Sequence, residues 1–297
     1  EELNRWYWVG RTLRCRKGPG GSVFASVSNE AASAEICLHG AQVISFVPRG
    51  YDPVLYLSPA SLYEPGKAIR GGIPVSWPWF ADHPTDNQKP AHGFARTSEW
   101  TVISTETVSD EETEIVFELS DSRETLKLWE HEFDLRLAVM VGNTLSLELV
   151  TTNNGDEPFS ITSAFHGYYR ISDIGTIRIK GLGGLDYIDK VANYGKKRQT
   201  GELSIRGETD RIYLNTSGDC VIEDEGLGRA IIISKTGSES TVVWSPWREK
   251  AAGMSDLPDD GYLNFVCVET ANAGADIINL APGEEHRLGT IIQVNRL

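Results

Sequence analysis

Apolar and polar positions alternate with a period of two along most of this chain. Residues 33–38 (SAEICL) alternate, 113–119 (TEIVFEL) nearly do, and 133–141 (FDLRLAVMV) and 144–150 (TLSLELV) are the clearest runs. A strand with one face on a core and one in water reads this way, and antiparallel sheets are built from such strands. Gly142-Asn143, between the last two runs, predicts a hairpin turn. Alternation resumes over 175–180, 202–206, 229–234 and 288–294. Helical periodicity is poor, and the best candidate is a short turn over 121–130 capped by Asp121 or Ser122. Strands and helices do not alternate, which disfavours a parallel α/β sheet. No linker-like stretch and no internal repeat divides the sequence. The expected fold is all-β, an antiparallel sandwich, with residues 1–297 as a single domain.

Four stretches break the strand pattern. Residues 67–80 (KAIRGGIPVSWPWF) place Arg70 before two glycines, two prolines and two tryptophans. Glycine opens backbone conformations closed to other residues, and aromatic faces suit sugars, but a rigid corner of the sandwich reads the same way. Residues 91–100 (AHGFARTSEW) hold His92 and Arg96 in a loop, where a lone histidine is usually a solvated or satisfied side chain. Residues 160–170 (SITSAFHGYYR) put His166 at the end of an apolar strand, placed either to enter a cleft or to sit half-buried in a hydrogen bond. The fourth break comprises residues 242–256 together with 265–272 (FVCVETAN). There Glu269 ends an apolar strand and shares a face with Phe265 and Cys267, so partial desolvation would raise its pKa unless it simply meets water.

Composition narrows the function. Net charge is -14, a field that repels phosphate backbones, so nucleic acid is not an expected partner. A small anionic substrate would need local basic residues. The four cysteines, Cys15, Cys37, Cys220 and Cys267, form no CxxC pair and give no support to a zinc site; spacing alone leaves a disulfide open. No apolar run has the length of a membrane span, so no membrane association is expected. No signal peptide is visible, and the cytoplasm is the expected location. The chain begins at Glu1 rather than Met, which leaves room for a start upstream.

Taken together, the motifs resemble the galactose-mutarotase-like superfamily, and within it the hexose-6-phosphate 1-epimerases. They are LHGAQVISF (38–46), IRGGIPVSWPWF (69–80), HGFARTSEW (92–100), AFHGYYRI (164–171), the WSPW run with Met254 and Asp256 (244–256) and CVETAN (267–272). The resemblance spans most of the chain, in the family's order. It implies an antiparallel supersandwich that interconverts the anomers of a hexose 6-phosphate. It implies His166 as general acid, Glu269 as general base, His92 and Asp210 as sugar contacts, and Arg70 and Arg96 as the holders of the phosphate. The sequence departs from the family at Gly167, where relatives often carry Thr or Ser, and after Glu269, where several carry Pro-Gly.

These residue types suit the chemistry. Opening a hexose ring removes a proton from the anomeric hydroxyl and supplies one to the ring oxygen, which one base and one acid can do. Guanidinium gives a phosphate paired, permanently charged hydrogen bonds. No cofactor is expected, because the sequence has no P-loop and no dinucleotide fingerprint. A monomer acting on a small sugar phosphate is the expected arrangement. The alternatives are an aldose 1-epimerase for unphosphorylated sugars, a non-catalytic carbohydrate-binding protein, and an accessory domain of a polysaccharide lyase or hydrolase.

Overall fold

The computed structural model of the chain describes residues 12–297. The clearest alternating runs become the strands Phe133–Val141 and Leu145–Asn153, which pair antiparallel with Val141 opposite Leu145. Their odd-numbered residues are buried and their even-numbered ones are not. These strands sit in an eight-stranded sheet ordered Arg178–Lys180, Cys220–Asp224, Arg229–Thr236, Glu285–Arg296, Leu145–Asn153, Phe133–Val141, Thr113–Ser120, Thr101–Thr107.

A second sheet is ordered Gly195–Arg198, Asp186–Asp189, Thr209–Leu214, Ser240–Ser245, Phe265–Asn272, Ser163–Phe165, Val75–Ser76, and Tyr168–Arg170 also pairs with Phe265–Asn272. A four-stranded sheet, Leu13–Lys17 to Gln42–Pro48, and a ribbon of Phe159–Ile161 with Ile278–Leu280 complete the architecture. The fold is an all-β antiparallel supersandwich.

Strand Phe265–Asn272 shows how the layers meet. All eight of its residues are buried, so both of its faces are covered. Thr270 hydrogen-bonds Thr290 of the other large sheet (Oγ1 to Oγ1, 3.1 Å). Val266 and Val268 share that inward face by alternation and belong to the main core. Phe265, Cys267, Glu269 and Ala271 point the other way.

Some elements differ from the sequence reading. Residues 202–206 form no strand; Leu203 makes one bridge to Ile179, yet Leu203 and Ile205 are buried as the alternation implies. Alternation reports which side chains are covered, not whether the backbone has a neighbour to pair with. The 175–180 run contributes only Arg178–Lys180. The helix over 121–130 is Arg123–Leu128, with Ser122 as its N-cap accepting from the Thr125 N–H. A helix at Trp247–Ala252 lies inside a stretch read only as a break. Glu269 lies within its strand, which continues to Asn272, rather than at its end. The four cysteines are free thiols. Among the described residues no helix is long and apolar enough to cross a membrane.

Candidate active site

Sheet register assembles the site. Residues directly opposite in antiparallel strands project from the same face. Asp210 is paired with Trp244, Trp244 with Cys267, and Cys267 with Tyr168, which makes one row across four strands. The adjoining row is Ile212, Val242 and Glu269. Asp210, Trp244, Val242 and Glu269 of these rows line a cleft of about 270 Å³, and its walls hold all six of the residues singled out from the sequence: Arg70, His92, Arg96, His166, Asp210 and Glu269. A larger depression of about 570 Å³ beside Ile44 and Asn264 has no carboxylate or histidine in its lining and offers no acid–base chemistry.

His166 follows strand Ser163–Phe165, and its backbone N–H is fixed by the Pro74 carbonyl at 2.9 Å. Its ring stacks on Tyr168 (centroids 5.0 Å apart, 14° between planes) and meets the rings of His92 and Trp244 edge-on. Nε2 lies 3.4 Å from Oε1 of Glu269. Nδ1 of His166 and Oε2 of Glu269 are buried without a hydrogen-bond partner. Gly167 makes room for this turn, since a Cβ there would come within 2.9 Å of the Tyr169 hydroxyl.

Burial pulls the His166 imidazole down to about 3, helped by the positive charges of Arg96 and Arg70. Burial pushes the Glu269 carboxyl well above the usual carboxylate range, with Asp210 adding to the rise against Lys190 and Arg96. The short contact alone suggests an ion pair, but both shifts oppose one. Two charges taken from water are not repaid by one long contact. Burial thus favours the neutral pair, with the shared proton on Glu269.

His92 occupies the left-handed region at φ 63°, a conformation of order 1–3 kcal/mol above an ordinary one that collects at functional sites. Its Nδ1 is 3.2 Å from the Ser76 hydroxyl and accepts from the Ala81 backbone N–H at 3.4 Å. A backbone N–H only donates, so the proton of the neutral ring sits on Nε2. Burial, with Arg96 next, holds this histidine far below its ordinary value. Gly93 permits the turn: its φ is +71°, and a Cβ would lie 1.9 Å from the Trp77 carbonyl oxygen.

The two arginines differ. Arg70 donates through Nε (3.1 Å) and Nη2 (3.0 Å) to Asp256 and through Nη1 to the Tyr168 hydroxyl (2.9 Å), leaving one N–H on each Nη. Burial alone would lower it, but Tyr168 and Asp256 outweigh that and hold it above its usual range. Arg96 donates to the Ala91 carbonyl at 2.9 Å and makes no ion pair among the described residues. Burial brings it down to about 10. The carboxylates nearest to the two arginines in sequence do not neutralise them: Glu99 pairs with His39 and Glu64 is exposed.

Three participants escaped the sequence reading. Lys190 lines the cleft and pairs with Asp210 at 2.9 Å. Trp244 lines it too, and Asp256 anchors Arg70. Trp244 and Asp256 were inside a recognised motif run without a role; Lys190 follows a short strand and had no local signal.

The family model described as Aldose 1-epimerase matches residues 24–293. A protein of Escherichia coli K12 named "putative glucose-6-phosphate 1-epimerase" is 41% identical over 249 residues, 83% of this chain and 82% of that protein. One of the same name from Cenchrus ciliaris is 36% identical over 265 residues, 86% of this chain and 79% of that protein. The crystal structure of a "putative mutarotase" from Salmonella typhimurium matches with a TM-score of 0.91 at 32% identity, covering 100% of both chains.

Proposed function

The chain belongs to the aldose 1-epimerase family, and from that premise we propose that it interconverts the α and β anomers of a hexose 6-phosphate, glucose 6-phosphate being the first to try. It is an isomerase, and the open questions are its substrate and the roles of its residues. The observation that carries the phosphate reading is Arg96, a half-buried guanidinium lining the cleft with no ion-pair partner among the described residues. A cation partly withdrawn from water in this way is stabilised when an anion joins it. Arg70 supports the same reading, because Asp256 leaves two of its N–H groups free. The whole chain, 1–297, is read as one catalytic unit acting as a monomer.

Ring opening in this cleft is a two-proton exchange. Glu269 as carboxylate takes the proton of the anomeric hydroxyl, and His166 as imidazolium gives one to the ring oxygen. The C1–O5 bond breaks and the aldehyde forms at C1. Rotation about C1–C2 presents the other face. On closure the C5 hydroxyl returns its proton to His166 as O5 attacks C1, and protonated Glu269 reprotonates O1. His92, with its Nε2–H, and Asp210, braced by Lys190, hold sugar hydroxyls. Each acid or base group of this type is worth about 10²–10⁴-fold.

The test is magnetisation-exchange NMR on the two anomers of glucose 6-phosphate and of glucose. Faster enzymatic exchange of the phosphate ester supports the proposal. Equal rates for both sugars would return the substrate to an unphosphorylated aldose.

A further inference from the structure

Asp210 and Arg70 stand at opposite ends of one row of the sheet, which runs from Asp210 through Trp244 and Cys267 to Tyr168, whose hydroxyl Arg70 holds. Arg96 and Lys190 act on both His166 and Glu269, whereas Arg70 acts on His166 and Asp210 on Glu269. Arg70 is one side chain from His166, since its Nη1 holds the hydroxyl of the Tyr168 ring on which His166 stacks. The other rings against His166, His92 and Trp244, carry no compensating charge. The arginine end thus repels a proton from His166, and the Asp210 end draws it to Glu269. Protonated Glu269 with neutral His166 is the form that meets the open-chain sugar. It is not the form that opens a ring.

Substrate connectivity bears on this. His166 must reach O5, and the phosphate hangs from C6 on the neighbouring carbon, C5. A hexose 6-phosphate seated with O5 at His166 therefore carries its two negative charges to the arginine end.

We propose, building on the hexose 6-phosphate reading, that the phosphate is an activator as well as a handle: by pairing with Arg96 and the free N–H groups of Arg70 it releases the proton of Glu269 to His166. Selection against unphosphorylated hexoses then acts on turnover, not on binding alone. The phosphate need not be attached to the sugar to act, because its effect is through charge.

The experiment uses the whole protein, D-xylose (glucose without its C6 arm) and inorganic phosphite to occupy the vacated phosphate position. Anomer exchange is followed by NMR, with the enzyme-free rate at each phosphite concentration subtracted. Phosphite is expected to raise enzymatic xylose exchange saturably by at least about tenfold, the effect of moving the acid by one pKa unit. Arg96→Gln is expected to speed xylose exchange without phosphite, to abolish the phosphite response, and to slow glucose 6-phosphate. A role confined to gripping phosphate would not speed xylose. Normal exchange of glucose 6-phosphate with no phosphite response in the wild type overturns the inference and leaves the substrate assignment standing. Failure to turn over glucose 6-phosphate at all overturns the assignment itself.

Discussion

His166 Nε2 stands 3.4 Å from Glu269 Oε1, close enough for both groups to address one carbon in the proposed mechanism. The two oxygens they must serve, O1 and O5, are both bonded to C1. An acid and a base at this spacing can reach neighbouring atoms of one sugar without the cleft closing further. Burial disfavours the charged form of each, which opposes a fixed ion-pair bridge between them.

His166→Ala and Glu269→Gln should each slow anomer exchange by at least about 100-fold, the lower end for one acid or base. Both variants should keep the wild-type circular dichroism spectrum. A folded Glu269→Gln protein with near-normal exchange in the NMR assay would remove Glu269 from the mechanism.

Arg70→Ala and Arg96→Ala should raise KM for glucose 6-phosphate far more than for glucose, since a charged hydrogen bond contributes about 1.5–3 kcal/mol. Arg70→Ala should also cost more stability, because it leaves Asp256 and the Tyr168 hydroxyl without their partner. Initial rates on both sugars and thermal unfolding of both variants check this; equal losses on the two sugars would take the phosphate away from these residues.

Burial of the pair has a pH signature in stability. His166 falls from 6.5 to about 3 on folding, so between those values the unfolded chain binds more protons than the native one. Stability is therefore lost as pH falls through that window, and His166→Gln should flatten the acid limb of a melting-temperature profile. Glu269 is raised on folding, so its contribution is lost as pH climbs from 4.5 through its folded value. Glu269→Gln should gain on the wild type toward alkaline pH. Calorimetric melting from pH 4 to pH 9 reads both limbs.

Gly93→Ala should destabilise the protein by at least about 2 kcal/mol, because alanine is strained at positive φ and its Cβ would strike the Trp77 carbonyl. Urea unfolding measures the loss. In any fraction that stays folded, exchange should fall as well, since Gly93 shapes the turn that carries His92.

Much of the fold was legible because alternation records burial directly. Phe133–Val141 appears at the bounds its pattern implies. Residues 202–206 were misread for the same reason: Leu203 and Ile205 are covered, but their backbone finds almost no partner. His166, Glu269 and both arginines lay in recognisable runs, and all four line the cleft. Lys190 and the Arg70–Asp256 pair did not announce themselves, because each is made by contacts between distant segments. Nothing near Lys190 in the sequence indicates that Asp210 will lie beside it.

Strand Phe265–Asn272 leaves no residue free to drift. Positions 266, 268 and 270 fill the interior of the sandwich, while on the opposite face Glu269 opens into the cleft. A slip of one residue in pairing would exchange the two sets, burying the Glu269 carboxyl where Thr270 now meets Thr290 and turning Val268 toward the sugar. That error is self-reporting, since a misaligned strand would lose packing and catalysis together. A chain of this design cannot be well folded and mis-registered here, so catalytic activity doubles as an assay of correct assembly.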